Sequence, residues 1–277
     1  MSDEMILVTG ATGKTGRRVV RLLHERGAAV RAASRSGTPS FDWADRSTWE
    51  RALQGVTAMY LVAPDLGGPQ ATQDITALAR QAAAAGVRRA VLLSVPDGGT
   101  GHEPVLAAER SLGEAGLEWT VLRPRWFSQN FSEDFLLDPV MSGEVRLPAG
   151  DGKEAFVDAE DIAEVAVAAL TEDGHDGWCY ELSGPRLMSF GDAVAEIAQA
   201  VGRDIGYVPL TVEAYMDEQR AHGVPEEWVQ LSAGLYDYVR SGGLASLSDG
   251  VQRALGRPPR DFSDYAKATT AQGVWNI

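Results

Sequence analysis

Residues Met5 to Leu23 read MILVTGATGKTGRRVVRLL and constrain the fold more than any other stretch of the chain. An apolar run, Met5 to Val8, ends in the turn Thr9-Gly10-Ala11-Thr12-Gly13-Lys14-Thr15-Gly16. Val19, Val20, Leu22 and Leu23 then follow at helical spacing. Strand, glycine turn and helix start, in that order, suit a loop that cradles a pyrophosphate. Gly10 takes a backbone shape that a Cβ hinders. Gly13 lets the main chain approach a phosphate closely, and Gly16 lets the helix pack on the strand. The helix N-terminus adds free N–H groups and a partial positive charge. The spacing is G-x-x-G-x-x-G. Gly13-Lys14-Thr15 resembles the end of a P-loop, but no glycine stands five residues before Gly13, where that motif needs one.

A chain of 277 residues suits one sheet domain with a smaller appended lobe, and 44% hydrophobic residues allow a sizeable core. A formal net charge of −14 argues against nucleic acid as a partner, because phosphate-backbone binding needs a basic face. One local basic pocket for a phosphorylated cofactor is still compatible with it. The single cysteine, Cys179, leaves no internal disulfide and no cysteine-based metal cluster. The sequence carries no signal-peptide pattern near its start and no apolar run of spanning length, so a cytoplasmic location, no membrane and no bound metal are expected.

The second strand, Ala28 to Ala33, ends in Ser34-Arg35-Ser36-Gly37. In a fold of this type that end lies beside the adenosine ribose. An acidic residue there favours a free 2′-hydroxyl; Arg35 instead suits a 2′-phosphate through forked, charge-assisted hydrogen bonds, so NADP(H) is expected over NAD(H). A short crossover leads to a third strand ending at Asp42-Trp43, which meets the adenine or simply packs on the sheet. Ser47, with Glu50 three residues on, caps a short helix through Leu53. Strands at Ala58–Ala63, Ala90–Ser94 and Glu118–Arg123 alternate with helices at about 70–85 and 102–115, joined by a loop from Pro96 to Gly101. The alternation predicts an α/β, Rossmann-like doubly wound parallel sheet.

Beyond Pro124, Phe127 to Met141 reads as helical and then as loop, and Glu144–Leu147 as a short strand. Phe156-Val157-Asp158 returns to the sheet, Asp158 or Ala159 opens a helix through Leu170, and Trp178–Leu182 is a strand. Ser189 and Asp192 form a capping-box pattern for a helix ending at Gly202. A strand at Tyr207-Val208 and helices near Val212–Ala221, Pro225–Arg240 and Ser263–Ala271 complete the chain. The expected division is a nucleotide-binding core over 1–130 and a mixed region over 131–277. That region returns strands to the sheet at about 155–183 and forms a small, mainly helical substrate lobe from about 131–153 and 184–277.

Several segments together resemble a known family: Thr9-Gly10-Ala11-Thr12-Gly13, Arg35, Leu61-Val62-Ala63-Pro64, Val121-Leu122-Arg123-Pro124 leading into Trp126-Phe127-Ser128-Gln129-Asn130-Phe131, Ala149 to Lys153 before Phe156 to Ala163, and Leu182-Ser183-Gly184-Pro185. They resemble the NmrA-like branch of atypical short-chain dehydrogenases/reductases. Within it the chain is similar to NAD(P)H:quinone reductases and to the agroclavine dehydrogenase group of ergot-alkaloid enzymes. The resemblance runs from about Met5 to Pro209. It implies phosphate contacts from Gly10, Ala11, Thr12, Gly13, Lys14, Thr15 and Gly16, and 2′-phosphate contacts from Ser34 and Arg35. It implies a cofactor lining at Ala63, Pro64, Ser94 and Val95, with Trp126 and Phe127 bordering the nicotinamide.

Extended reductases of the wider superfamily use a Tyr-x-x-x-Lys pair, in which the tyrosine delivers a proton. None of the seven tyrosines has a lysine four residues on. Where quinone reductases of the branch often carry a histidine, four residues before Glu109, this chain has Val105; His102 is the nearest histidine. Without a built-in proton donor, quinones and iminium ions are better hydride acceptors than ketones. One takes its proton from water and the other needs none in the hydride step, so the protein supplies orientation and excludes water.

His102 and Glu103 form either a proton relay or a solvated helix start, and Asn130 orients a cofactor or a loop. Glu109 reads as an exposed or helix-pairing residue. Trp126, Phe127 and Phe131 form either an aromatic wall for a flat substrate or part of the core. Tyr215, Met216, Trp228, Tyr236 and Tyr238 line the lobe's pocket or fill its core. Asp158, Glu160 and Asp161 belong to a helix N-terminus. The expected activity is NADPH-dependent reduction of a flat quinone, imine or conjugated carbonyl by a monomer or homodimer. The alternatives are a non-catalytic NADP(H)-binding redox sensor and, third, a cofactor-retaining isomerase.

Overall fold

The computed structural model describes residues 5–96 and 102–276, so the expected Pro96–Gly101 loop lies, from 97 onward, outside the described residues. In chain order the elements are β1 (Met5–Val8), α1 (Gly16–Glu25), β2 (Ala29–Ala32), α2 (Trp49–Leu53), β3 (Val56–Leu61), α3 (Pro69–Ala84), β4 (Arg89–Leu93), α4 (Glu103–Glu114) and β5 (Glu118–Pro124). Then come α5 (Asn130–Glu133), α6 (Leu137–Ser142), β6 (Glu144–Leu147), β7 (Lys153–Glu154), α7 (Ala159–Thr171), β8 (Trp178–Leu182), β9 (Met188–Ser189) and α8 (Phe190–Val201). The chain closes with β10 (Gly206–Pro209), α9 (Val212–Ala221), α10 (Glu226–Arg240), α11 (Gly250–Leu255) and α12 (Phe262–Ala271).

The chain forms two compact units. The first runs to Pro124 and adds Ala159–Leu182 and Asp249–Arg257. Its six-stranded sheet has the order β2-β1-β3-β4-β5-β8, with every neighbouring pair parallel. Strand residues alternate between the two faces. Leu7, Met59, Leu61, Ala90 and Leu92 join Trp49, Leu53, Ile75, Leu78, Ala108 and Leu112 of α2, α3 and α4 in one core. Helix α7, apolar almost all round, is buried along nearly its whole length and packs on β3, β4 and β5, with α1 and α11 beside it.

Two elements of this unit differ from expectation. No third strand ends at Asp42-Trp43. Phe41 N–H turns back to the Ser34 carbonyl (3.0 Å), and a single antiparallel bridge joins Asp42 to Asp45. The reason is aromatic: the rings of Phe41, Trp43 and Trp49 lie 5.3–6.3 Å apart, which folds the segment onto α2 and leaves β2 at the sheet edge. Ser47 does not cap the short helix either. Thr48 stands at that N-cap without a side-chain cap, and Asp45 instead caps the 3-10 turn Arg46–Thr48 that leads into the helix, its carboxylate accepting from Ser47 N–H at 3.0 Å.

The second unit comprises Arg125–Asp158, Ser183–Ser248 and the chain from Pro258 onward. Phe127 to Met141, expected as helical and then loop, forms two short helices, α5 and α6. Phe156-Val157-Asp158 does not join the large sheet; Val157 makes a single parallel bridge with Phe127. Ser189 and Asp192 form the reciprocal capping box that starts α8. The core gathers Phe131, Phe156, Phe190, Tyr215, Tyr236, Phe262, Tyr265 and Trp275.

Within this unit Glu154 is fully buried on β7. One carboxyl oxygen accepts from Ala155 N–H at 2.8 Å; the other has no partner among the described residues. Burial pushes its pKa up to about 7, against the opposing pull of Ala155 N–H and Arg125. The folded protein therefore holds this proton more tightly than the unfolded chain. Its contribution is full below the ordinary carboxyl value and is lost as pH rises toward 7, about 3 kcal/mol at most. Urea melts at pH 5 and pH 8 are expected to show Glu154→Gln losing this slope and exceeding the parent in stability at pH 8. An unchanged slope would refute the assignment.

Candidate functional site

The order β2-β1-β3 puts a topological switch point between β1 and β3, where open α/β sheets bind ligands at the strands' carboxyl ends. A groove of about 430 Å³ lies there. Gly10 and Thr12 line it after β1, Ser34 and Arg35 after β2, and Val62, Ala63 and Pro64 after β3, with Asp42 and Trp43 from the crossover.

Thr9 sets the strand ends against each other. Its hydroxyl accepts from Val62 N–H at 2.8 Å, and its own N–H donates to the Tyr60 carbonyl at 3.0 Å. Gly10 has φ +60°, and a Cβ there would lie 3.1 Å from the Val62 side chain. Its carbonyl accepts from Gly13 N–H at 2.9 Å. Gly16 answers a different need from the one expected: a Cβ would stand 2.1 Å from the Gly10 carbonyl oxygen, so its bareness lets α1 begin against the turn's own backbone. Thr15, ahead of α1, makes no side-chain cap, and the first turn holds no acidic residue, which favours an anion at this helix start.

Trp43 is held by its indole N–H, which donates to the Val62 carbonyl at 3.0 Å. Asp42 turns its carboxylate to Ala44 N–H. Arg35 is exposed and has no hydrogen-bond or ion-pair partner among the described residues, so its fork of donors is open to a ligand. Of the residues expected at a cofactor, this groove joins Gly10, Thr12, Ser34, Arg35, Asp42, Trp43, Ala63 and Pro64. Ala11, Gly13, Lys14, Thr15 and Gly16 form the adjoining turn and helix start, while Ser94 and Val95 end β4 outside the lining.

Ser94 leads to a network that sequence reasoning missed. Its hydroxyl donates to Glu109 Oε1 at 2.5 Å. Arg123 pairs with both oxygens of Glu109 and, at 3.2 Å, with Glu181. Glu109 is thus buried, not exposed. The signal was present: Glu109 stands four residues after Val105 and three before Leu112, on the buried stripe of α4. His102 is half-buried ahead of α4, and its Nε2 has no partner among the described residues. Glu160 pairs with Arg18 and Arg21, and Asp161 with Arg257.

The second unit holds a cavity of about 530 Å³. Trp126, Tyr215, Trp228 and Tyr236 line it, so the structure collects these expected residues in one place. It also recruits Phe135, Leu231 and Leu235, which sequence reasoning passed over. Phe127 is outside this lining, as are Met216 and Tyr238, which pack against the core. Phe131 is fully buried beneath, ringed by Phe156, Phe190 and Phe262 at 5.6–6.1 Å, and can only support the cavity. Trp126 touches both the core and the cavity. One side meets Phe190 at 5.2 Å in the core and another meets Tyr236 at 5.2 Å on the cavity. Asn130 opens α5, and its carbonyl accepts from Leu136 N–H. Arg146 also lines the cavity, with its charge matched by Glu144 and Glu218.

Among the described residues no helix is long and apolar enough to cross a membrane. A family pattern described as NAD(P)H-binding matches residues 10–173. The chain is 34% identical to an NAD(P)H azoreductase of Xenophilus azovorans, over 96% of this chain and 98% of that one. It is 32% identical to the agroclavine dehydrogenase of Claviceps fusiformis, over 98% of each. Its fold matches the Citrobacter triphenylmethane reductase complexed with NADP(H) at TM-score 0.78 and 21% identity, covering 96% of this chain and 99% of that one. It matches the NADPH-dependent quinone oxidoreductase of Escherichia coli complexed with NADPH at TM-score 0.76 and 23% identity, covering 96% and 100%.

Proposed function

The chain belongs to the NAD(P)H-binding family and is an NAD(P)H-dependent oxidoreductase, and on that premise we propose that it is an NADPH-dependent reductase of flat quinone, imine or iminium, or conjugated carbonyl substrates. The observation that carries the choice of NADPH is Arg35, which follows β2 in the same groove as Gly10 and Thr12 and whose guanidinium has no partner among the described residues. A planar fork of donors suits the 2′-phosphate that NADH lacks. The nucleotide fits the residues present: the turn after β1 and the uncapped start of α1 receive the diphosphate, Ser34 and Arg35 the 2′-phosphate, and Trp43 the adenine.

When bound, that cofactor supplies the hydride of a dihydronicotinamide ring. The chain's own part is to hold and orient. Trp126, Tyr215, Trp228 and Tyr236 offer rings and hydroxyls to a flat conjugated acceptor, in a cavity within the size range of small-molecule sites. Relatives named for azo compounds and agroclavine support an acceptor of that shape. Absorbance of NADPH, followed with a panel of quinones and cyclic iminium compounds, is expected to fall only when protein is added. Tight NADPH binding without turnover of any acceptor would overturn the reductase reading in favour of a nucleotide sensor.

A further inference from the structure

Helix α10 carries two apolar stripes. Val229, Ala233, Tyr236 and Val239 are buried in the core, while Trp228, Leu231 and Leu235 are exposed at the cavity. Tyr236 belongs to both surfaces. It is only 1% exposed, yet it lines the cavity. Its ring is clamped by Trp126 at 5.2 Å, Tyr215 at 5.5 Å and Phe190 at 5.6 Å.

The other buried tyrosines of this unit's core satisfy their hydroxyls: Tyr215 donates to Ser232 at 3.3 Å and Tyr265 to Ser132 at 2.7 Å. The Tyr236 hydroxyl has no hydrogen-bond partner among the described residues. A phenol at the cavity wall with no protein partner leaves its O–H available to a ligand.

The geometry points to Tyr236 as a hydrogen-bond donor to the acceptor oxygen of a quinone held in this cavity. The inference rests on the reductase reading and narrows it to a ring carbonyl. Burial, with the Tyr215 and Tyr207 hydroxyls nearby, holds the Tyr236 phenol well above its ordinary value. Tyr236 therefore keeps its proton and stabilises charge instead of transferring it. The quinone takes one hydride from the reduced nucleotide, with its two electrons, and becomes a hydroquinone monoanion. Tyr236 O–H bonds the phenolate oxygen, and water supplies the proton that completes the hydroquinone. An isolated ketone would yield an alkoxide, which needs a full proton from the protein, so the arrangement selects acceptors that become aromatic on reduction.

Tyr236→Phe removes only the unpartnered hydroxyl, so resistance to urea is expected to be equal or greater and NADPH affinity unchanged. kcat/KM for 1,4-naphthoquinone is expected to fall about 10- to 100-fold, the range for a hydrogen bond to a charged group. Reduction of a cationic iminium substrate without an acceptor oxygen should fall far less than reduction of the quinone. Calorimetry without nucleotide should also show weaker 1,4-naphthoquinone binding to the variant. If the parent protein reduces the quinone and Tyr236→Phe does so equally, the donor role is wrong and the reductase reading stands. If neither turns over this quinone or any other acceptor of the panel but the variant binds 1,4-naphthoquinone more weakly, the donor role survives and the reductase reading falls. Absence of any turnover with equal binding overturns both.

Discussion

Replacing Arg35 with aspartate is expected to weaken NADPH binding by two to three orders of magnitude and to leave NADH binding nearly unchanged. Hydrogen bonds from a guanidinium to a charged oxygen contribute about 1.5–3 kcal/mol each, and the planar fork can make two to one phosphate. Aspartate removes both and adds repulsion against the 2′-phosphate. Arg35→Ala is expected to fall between the two. Arg35 has no carboxylate partner among the described residues, so either change leaves no orphaned charge behind and the fold should be untouched. Titration calorimetry with both nucleotides reads the result directly. Equal losses for NADPH and NADH would end the assignment of Arg35 to the 2′-phosphate.

Glu109→Ala is expected to destabilise the first unit by about 3–5 kcal/mol, the usual cost of stripping one partner from a buried ion pair. The change takes both carboxylate contacts from Arg123, whose side chain is only 14% exposed, and leaves the Ser94 hydroxyl without its acceptor. Glu181, the remaining partner, is itself 34% exposed and sits 3.2 Å away, so it compensates weakly. Replacing both members, Glu109→Leu with Arg123→Met, should recover most of the loss, because no unpaired charge then remains. By contrast, removing Asp237 from its exposed pair with Arg240 should cost less than about 1 kcal/mol. Urea unfolding of the three variants tests the ranking. A loss below about 1 kcal/mol for Glu109→Ala would show that the network contributes little.

The glycine turn, the periodicity of α3 and α7 and the capping box at Ser189 and Asp192 were all legible from residues close together in the chain. Each depends on forces that act over a few positions: steric freedom at Gly10, burial of one helix face, and a side chain reaching back three residues. The misread elements share another origin. Phe41, Trp43 and Trp49 looked like a strand end and a helix start, and became one aromatic cluster because their rings meet in space. Phe156-Val157-Asp158 has the apolar run of a strand, but Val157 pairs with Phe127 instead of with the sheet.

Local sequence, then, determined that a strand–turn–helix opens the chain, that a doubly wound sheet follows, and that Arg35 follows the second strand. Only the tertiary structure decided what those residues meet. Thr9 finds Val62 and Tyr60 more than fifty positions away. Glu109 leaves solvent for Arg123, and Tyr236 is clamped among aromatic rings with its hydroxyl unspent. Local propensity acts along the backbone and can be read there. Burial and pairing of a polar group depend on which distant surfaces close over it, and no short stretch of sequence contains that information.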